Sequence, residues 1–510
     1  MIRRMCLVWT LFLIPAVAFG QGERTLSLNG AIKIAIERNL DIQLQRITVN
    51  SQAINVDMTL VDYEPVVTAS SGVNNSTNEP TNRNQGDVGK TVTSTGNQVR
   101  GAINKREWFG FDWGLSFSNS SSEDNADDSF GKIFGGNLTA NFSQELLSGF
   151  SLDRDVMRNT EYVAESNLVM AKHDLEIRIN AVLKQVEEAY WDLVSNIDQL
   201  RVDKESLDLA NQLYEQNKIK IDVGTLAPIE LVNAEAQIAD RQLAIIRSEH
   251  NVRSAEDRLK NVLNLPYDDW AQTIKPTDEL TIDKVPKTNF DMDFQMAMKN
   301  RPEFKKDAES LRQARLDLKV QKNNLLPQLA VSGSYTLAGT ALPTTGVNPD
   351  DFEEGILIPP SNNEVWDEIL KANFPQWNLQ LSTTWRPFNK QGRLNKARSE
   401  ISLRQTKITS KQNRIQIMQD VRNAIRDLES SDLSIKAAEN SVRYQRENLT
   451  AEEQKFQNGL STNYEVSQAQ KNLSDAETSL IQSKVAFRKS VLNYHLALGL
   501  LAKNRKISIQ

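Results

Sequence analysis

Side chains that could perform acid–base or metal chemistry are few and widely separated in this sequence. The 510 residues include one cysteine and three histidines, His173, His250 and His495, whose spacing is not that of a metal site. We interpret these histidines as surface or interhelical residues. No phosphate-binding loop and no acid–base cluster is recognisable. The sequence therefore predicts a protein that is not an enzyme and that binds no metal and no cofactor.

Two acidic residues, Glu230 and Glu465, stand in equivalent places of an internal repeat. A shift of the sequence by 235 positions aligns the two glutamates and also aligns Gly224 with Gly459. Each glutamate follows its glycine by six positions, at the predicted start of a helix. Acidic side chains in a first helical turn interact favourably with the helix dipole, which is one sufficient reason for their presence.

Charge and composition exclude several classes of protein. The chain has 60 basic and 66 acidic side chains, and the net charge of −6 disfavours a nucleic-acid-binding protein. Glycine, with 22 residues, and proline, with 15, are scarce, which favours long helices over a loop-rich fold. A mean hydropathy of −0.48 excludes a bundle of apolar transmembrane helices.

The first twenty residues are predicted to form a secretory signal peptide. A short basic start, an apolar run over residues 5–19 and a small-residue exit at Gly20 are typical of such a segment. A membrane anchor is the alternative, but the apolar run is short for a spanning helix. Cleavage would remove Cys6, so we expect the mature protein to function outside the cytoplasm without disulfides.

Apolar residues recur every seven positions in long segments before and after Gly224 and Gly459. This period predicts helices that pack side by side, and the glycines mark where the chain reverses. The sequence therefore predicts two long antiparallel helical hairpins with tips near 224 and 459. The heptad positions that precede the tips are Val186, Leu193, Leu200, Leu207, Tyr214 and Ile221, and then Val421, Leu428, Ile435, Val442, Leu449 and Phe456.

Between the helices the hydrophobic period changes to two, which predicts β-strands. Residues 109–117 and 377–385 place aromatic and aliphatic side chains on one face and small polar ones on the other. A transmembrane β-barrel has this alternation, and so does an ordinary half-buried sheet. No helix is expected to be free to cover the aromatic face, which favours the barrel. We interpret the polar stretches 74–104 and 119–135 as loops, and 88–107 as a candidate for an additional hairpin.

The predicted strands are too few for one chain to close a barrel. Single-chain barrels have at least about eight strands, and open sheet edges are not tolerated in lipid. Several copies are therefore expected to share one barrel.

The fold class is predicted to be mainly α with a β-barrel portion, built from two repeats. Each repeat contains a shorter helix, a group of strands and a hairpin, and Trp366 and Ile369 indicate a short helix within the inserted segment 338–373. In chain order the segments are the signal peptide (1–20), the first repeat (21–264, with a helix over 26–62 and strands at about 65–147), a linker (265–288), the second repeat (289–502, with a helix over 289–326 and strands at about 328–387) and a tail (503–510).

Three motifs accompany the internal repeat in a fixed order. They are the segment 143–149, Leu325-Leu326-Pro327 before Ser332-Gly333-Ser334-Tyr335, and the second tip, 455–466. With these motifs, essentially the whole mature chain resembles the TolC-type outer-membrane efflux proteins. This resemblance implies a homotrimer with a shared barrel in the outer membrane of a Gram-negative bacterium, a periplasmic helical tunnel and an equatorial region from the linker and C-terminus. It also implies a passive duct in a tripartite efflux or type I secretion system, docked to a periplasmic adaptor and an inner-membrane pump or exporter.

The resemblance also assigns roles to the hairpin tips. In the family, an acidic residue six positions after each turn glycine can line the periplasmic aperture, so Glu230 and Glu465 are candidates for a cation-attracting carboxylate ring. Favourable interaction with the helix dipole stays the alternative. The turns resemble the adaptor-contacting turns of the family, although their simplest role is to reverse the chain. The candidate docking residues are Val223, Gly224, Thr225, Gly459, Leu460 and Ser461.

A protein of another class fits the same patterns. A soluble periplasmic coiled-coil adaptor or structural spacer would have the same hairpins, with its strands in an ordinary sheet. The channel should need detergent for extraction and migrate as a large oligomer, whereas the spacer should need none.

Overall fold

The computed structural model describes residues 23–79, 91–125, 131–148, 153–282, 285–348, 351–505 and 507. The described chain is mostly helical and contains one large sheet, as the sequence predicts. The predicted signal peptide lies outside the described residues. None of the helices in the described ranges combines the length and the apolarity that crossing a bilayer would require.

The helices and strands are labelled in chain order. They are β1 (Arg24–Leu26), α1 (Leu28–Arg38), α2 (Leu40–Leu60), β2 (Val66–Asn78), β3 (Val92–Arg106), β4 (Phe111–Asp124), β5 (Ile133–Glu145), α3 (Arg154–Met157), α4 (Asn159–Asp222), α5 (Ile229–Val262), β6 (Ile274–Pro276), α6 (Phe290–Asn300), α7 (Pro302–Asn323), β7 (Gln328–Ala341), β8 (Thr344–Asn348), β9 (Asp351–Ile358), α8 (Asn362–Lys371), β10 (Phe374–Thr384), α9 (Lys390–Gln457), α10 (Asn463–Ala497) and α11 (Leu501–Asn504).

The chain divides into two compact units. The first, the helical unit, comprises the described residues within 1–48, 172–305 and 412–510. The second, the sheet unit, comprises the described residues within 49–171 and 306–411. Each unit is described by itself below.

Both hairpin tips belong to the helical unit. Gly224 lies between α4 and α5, and Gly459 lies between α9 and α10, with φ angles of 79° and 75°. Residues with a Cβ rarely adopt this left-handed conformation, so glycine is the residue that reverses the chain here without strain.

The heptad prediction is confirmed for the second hairpin and only partly for the first. All six positions that precede the second tip are buried, with exposures of 8% or less. In the first hairpin, Val186 and Leu193 are fully buried, whereas Leu200 and Tyr214 are half-buried and Leu213 takes the buried place. A straight α-helix has 3.6 residues per turn, so a strict seven-residue spacing rotates away from the buried seam along its length.

The two shorter helices were predicted as single elements, and this prediction is wrong. The first is broken at Asn39, whose side-chain oxygen accepts hydrogen bonds from the amides of Asp41 and Ile42 at 3.0 and 3.3 Å and thereby starts α2. The second is broken at Arg301, which is extended because the ring of Pro302 disfavours a helical conformation in the residue before it.

The linker contains a strand that the sequence did not reveal. Its β6 pairs in parallel with β1, which precedes α1, and the three-residue strands are too short to show a period. The buried hydroxyl of Tyr190 on α4 lies 3.0 Å from the Leu26 carbonyl oxygen and 2.7 Å from the Asp278 carboxylate. These contacts attach both segments to the long helix.

The sheet unit contains an antiparallel sheet of six strands in the order β10-β7-β5-β4-β3-β2. Four strands come from the first half of the chain and two from the second. The interpretation of 74–104 and 119–135 as loops is therefore wrong for the residues that belong to β2, β3, β4 and β5, whereas 80–90 and 126–130 lie outside the described residues. The ends of these strands that lie farthest from the helices carry Asn, Ser, Thr and Gly on both faces. No alternation in hydrophobicity therefore marks these residues as strands. Residues 88–107 do not form the hairpin that was considered for them: 92–106 form the single strand β3, which pairs with β2 and β4, and residues 88–90 lie outside the described ranges.

Candidate functional site

The two hairpin tips contact each other within the helical unit. The ammonium of Lys220, near the end of α4, donates a hydrogen bond to the carbonyl oxygen of Phe456 at 2.6 Å. The same ammonium lies 3.5 Å from the centre of the Phe456 ring, a cation–π contact. Burial lowers the pKa of Lys220. The ends of α4 and α9, which lead into the two tips, therefore lie against each other.

Glu230 bridges the two hairpins. Its carboxylate accepts a hydrogen bond from the side-chain amide of Asn463, the first residue of α10, at 3.0 Å. The oxygen of that amide accepts in turn from Asn217 on α4 at 2.8 Å, and both asparagines are buried. Sequence reasoning missed Asn217 and Asn463, because polar residues that pair across two hairpins carry no local signal.

Glu465 helps to cap the N-terminus of its own helix, α10. Its carboxylate accepts hydrogen bonds from the backbone amide of Thr462 at 3.0 Å and from the hydroxyl of Ser461 at 2.8 Å. Thr462 accepts in return from the Glu465 amide, which completes a capping box at the start of α10. These hydrogen bonds, the backbone one first, lower the pKa of the Glu465 carboxyl. The side chain is exposed and charged at neutral pH.

The tips also present apolar side chains to solvent. Val223 and Leu460 are 68% and 78% exposed, and Tyr464, which the sequence analysis did not single out, is 71% exposed. By contrast, the hydroxyls of the tips form hydrogen bonds within their own turns. The hydroxyl of Thr225 donates to the backbone carbonyl oxygen of Lys220, and the hydroxyl of Ser461 lies within hydrogen-bond distance of two glutamate carboxylates. The arrangement offers an apolar contact surface beside carboxylates, and it contains no group poised for covalent chemistry.

The histidines lie apart from the tips. His173 and His495 are half-buried and His250 is exposed, and no three His, Cys, Asp or Glu side chains converge as metal ligands in the described residues. Burial, followed by the positive charge of Arg505, lowers the pKa of His495.

The second candidate surface is the sheet, whose two faces differ sharply. We call the end that joins α2, α3, α7 and α9 the helix end of the sheet, and the opposite end the loop end. The strand register places one row of apolar side chains across all six strands, and the adjacent row, on the other face, is small or polar. These rows are Val67, Ile103, Leu115, Ala140, Tyr335 and Trp377, and Thr68, Ala102, Ser116, Thr139, Thr336 and Gln376.

Much of the apolar face is exposed in the single chain. On the edge strand β10, Trp377 and Leu381 are 76% and 67% exposed, and on the other edge strand Val67 is 74% exposed. The expectation that no helix covers this face is wrong in one place. The short helix α8, indicated by Trp366 and Ile369, packs on β5 and β7 near the loop end.

Comparison with known proteins assigns the fold. The family model described as outer membrane efflux protein matches residues 110–265 and 294–500, which together form more than half of the chain. Nodulation protein T of Rhizobium leguminosarum bv. trifolii is 21% identical over 371 residues, 72% of this chain and 74% of that protein. Toxin and drug export protein A of Aggregatibacter actinomycetemcomitans is 23% identical over 251 residues, 49% of this chain and 52% of that protein.

A solved structure has the same fold over most of its length. The outer membrane channel CmeC of Campylobacter jejuni superimposes with a TM-score of 0.64 and 17% identity, covering 94% of this chain and 88% of that one. Other structural relatives, OprN and MtrE, are likewise outer membrane channels. The order of strands and hairpins, the two-faced sheet and the family match lead to one conclusion: the chain belongs to the outer membrane efflux protein family.

Proposed function

We propose that copies of this chain form a passive export channel whose sheets lie in the outer membrane of a Gram-negative bacterium. The six-stranded sheet, with one apolar face and two unpaired edge strands, is the observation that carries this proposal. In lipid, each unsatisfied backbone group would cost several kcal/mol. The edge strands β2 and β10 therefore pair with neighbouring copies and close a shared barrel.

Two exposed heptad stripes support self-association. On α9, Leu394, Ile401, Ile408 and Ile415 recur every seven residues with exposures of 55%, 58%, 58% and 52%. On α2, five apolar residues form a similar stripe: Leu40, Leu44, Ile47, Ile54 and Met58. Such a stripe is one half of a coiled-coil seam. A second copy of the chain supplies the other half.

We propose three copies, the number that the family resemblance implies. Six strands from each copy make a wall of about eighteen, the size at which porins enclose a water-filled channel. Without the hairpin formed by β2 and β3, each copy would contribute four strands, so this hairpin makes the shared barrel wider. The polar face, lined by small side chains such as Ser116 and Thr139, faces the water-filled lumen.

The hairpin tips form the periplasmic entrance in this proposal. Three copies bring Glu230 and Glu465 together as carboxylate rings, which attract cations and repel anions. The exposed Val223 and Leu460, beside the turn glycines, contact a periplasmic adaptor that links the channel to an inner-membrane pump or exporter. The existing contacts of both glutamates also fit the alternative in which they only stabilise the tips.

Matched lysine substitutions on β10 test the membrane placement. Leu381 lies on the apolar face, and its neighbour Gln380 lies on the polar face. A lysine on the lipid face costs about 2–4 kcal/mol near the bilayer centre and little in a polar lumen. We expect Leu381→Lys to abolish recovery of the oligomer from the outer-membrane fraction, and Gln380→Lys to leave it unchanged. The oligomer of the mature chain should need detergent and have a mass somewhat below three times 57.5 kDa, because 57.5 kDa includes the predicted signal peptide.

The soluble periplasmic spacer predicts other results. If the protein is a monomer that stays dissolved in plain buffer, and both lysine variants are recovered equally, the channel proposal is rejected in favour of the soluble spacer.

A further inference from the structure

The short helix α8 occupies a recess in the apolar face of the sheet. Val365 and Ile369 are 0% and 1% exposed, and they pack over Gly136 and Gly339, which pair across β5 and β7. A Cβ added at Gly136 would lie 2.7 Å from a methyl carbon of Val365, and one added at Gly339 would meet the Val365 carbonyl oxygen. The helix is therefore seated on the side of the sheet that carries the apolar rows.

The position of α8 along the strands coincides with a change in polarity on the neighbouring strands β4 and β3. On this face of β4, Trp113, Leu115 and Phe117 are followed toward the loop end by Asn119 and then serine. The same change separates Val99 from Asn97 on β3, and the register pairs Val99 with Asn119.

Side chains of α8 contact both sides of this boundary. Trp366 stacks on Phe117 with ring centres 4.7 Å apart, and Asn362 accepts a hydrogen bond from Asn119 at 2.8 Å. The helix thus lies at the level where the apolar rows of β3 and β4 end, while Phe134 of β5 packs against its buried side.

The two flanks of α8 also differ in polarity: one is apolar and the other is acidic. Residues four apart share a flank of a helix, so Trp366 and Leu370 lie together, and Glu364 and Glu368 lie together on the other side. The tryptophan flank is directed to the apolar rows, and Leu370 on it is 80% exposed. Glu368 accepts a hydrogen bond at 2.8 Å from the backbone amide of Thr340, nearer the loop end.

We propose that α8 is an interfacial helix that lies in the headgroup layer of the outer leaflet. Its tryptophan flank contacts the top of the hydrocarbon, and its glutamate flank contacts water. Interfacial helices place apolar side chains a few ångströms below the headgroups, and tryptophan is enriched at this depth. The partner of this surface is the lipid bilayer, and α8 marks the outer limit of the lipid-facing belt. This inference rests on the proposed placement of the sheet in the membrane.

Labels at three single cysteines test this placement in the full-length oligomer. Leu370→Cys reports the tryptophan flank, Glu364→Cys reports the opposite flank of the same helix, and Leu379→Cys reports the exposed apolar face of β10. Each carries bimane, with Cys6 replaced by serine, in phosphatidylcholine vesicles. Brominated phosphatidylcholine quenches from the lipid and iodide quenches from water.

We expect brominated lipid to quench the labels at 370 and 379 at least two-fold more than the label at 364, and iodide to show the reverse order. Equal iodide quenching at 370 and 364 would overturn the interfacial placement of α8, provided that the label at 379 meets lipid. A label at 370 that neither agent quenches would also overturn it, because a neighbouring copy would then cover this flank. Failure of brominated lipid to quench at 379 would instead overturn the membrane placement of the sheet, and the proposed function with it.

Discussion

The side-chain amide of Asn463 donates a hydrogen bond to the carboxylate of Glu230 at 3.0 Å, so the first turn of α5 is attached to the first residue of α10. Glu230 thus holds the two tips together, whereas Glu465 caps α10. Both contacts need an acceptor oxygen and neither needs a negative charge, so the structural and electrostatic roles of the two glutamates can be separated.

Glutamine substitutions separate these roles. A glutamine at 230 or 465 keeps an acceptor oxygen for Asn463 or for the Thr462 amide, so the tips should retain their structure. We expect the double variant Glu230→Gln, Glu465→Gln to lose most of its preference for cations over anions in single-channel recordings. Glu249→Gln, at an exposed position on α5 away from the tip, is the control and should behave as the unaltered channel. Unchanged selectivity in the double variant would remove the carboxylate rings from the proposal.

The end of the chain should contribute to stability through Arg505. Its guanidinium makes two hydrogen bonds, of 2.8 and 2.6 Å, with Glu187, whose side chain is 5% exposed. Arg505→Ala leaves that carboxylate buried without its partner, and we expect the free energy of unfolding to fall by about 3 kcal/mol, the lower end for a buried pair because Arg505 is itself partly exposed.

Two further variants control for this effect. Arg505→Lys should show an intermediate loss, because an ammonium cannot make the paired contact. Lys503→Ala, nearby and exposed, should stay within about 0.5 kcal/mol of the unaltered protein in denaturant titrations. An Arg505→Ala variant as stable as Lys503→Ala would show that the pair contributes nothing.

The stability of the helical unit should decrease in mild acid because of His495. Burial and the charge of Arg505 lower its pKa below the ordinary value of 6.5. As the pH falls through 6.5, the unfolded chain binds a proton that the folded chain binds less readily, so the free energy of unfolding decreases. The contribution is complete above pH 6.5 and is lost as the pH approaches the folded pKa.

His495→Gln should flatten the dependence of the melting temperature on pH between about 7 and 5. His250→Gln, at an exposed position, controls for the loss of an imidazole. A slope that does not differ between His495→Gln and the unaltered protein would assign the acid sensitivity to other groups.

The recess under α8 should not accept a methyl group. In Gly339→Ala the new Cβ meets the carbonyl oxygen of Val365 and lies 3.2 Å from Ile369, so the helix must move or the strand must shift. Overpacking of this kind costs about 1–3 kcal/mol, and we expect amide hydrogen exchange over 362–371 to accelerate about tenfold. Gly72→Ala, on β2 with no atom within 4 Å of the added Cβ, is the control. Equal exchange in the two variants would contradict the close packing of α8.

Local sequence patterns were enough to predict the elements whose side chains repeat at a fixed period. The seven-residue repeat predicted the hairpins, the glycines predicted the tips, and the alternation in β4 and β10 predicted strands with one apolar face. Each of these signals arises from one segment that meets a uniform environment along its length. The first hairpin departs from the pattern from Leu200 onward, because helical rotation accumulates where the packing does not supercoil to match.

The contacts between distant segments became evident only in the tertiary structure. No periodicity distinguishes β2 and β3 from loops, since their polar residues become meaningful only when the register pairs them with β4. Three contacts join residues that are far apart in sequence. They are the hydrogen bond between Asn463 and Glu230, the ion pair of Arg505 with Glu187, and the packing of α8 over Gly136 and Gly339. Their partners are selected by burial and by the geometry of approach, and both exist only after the chain has folded.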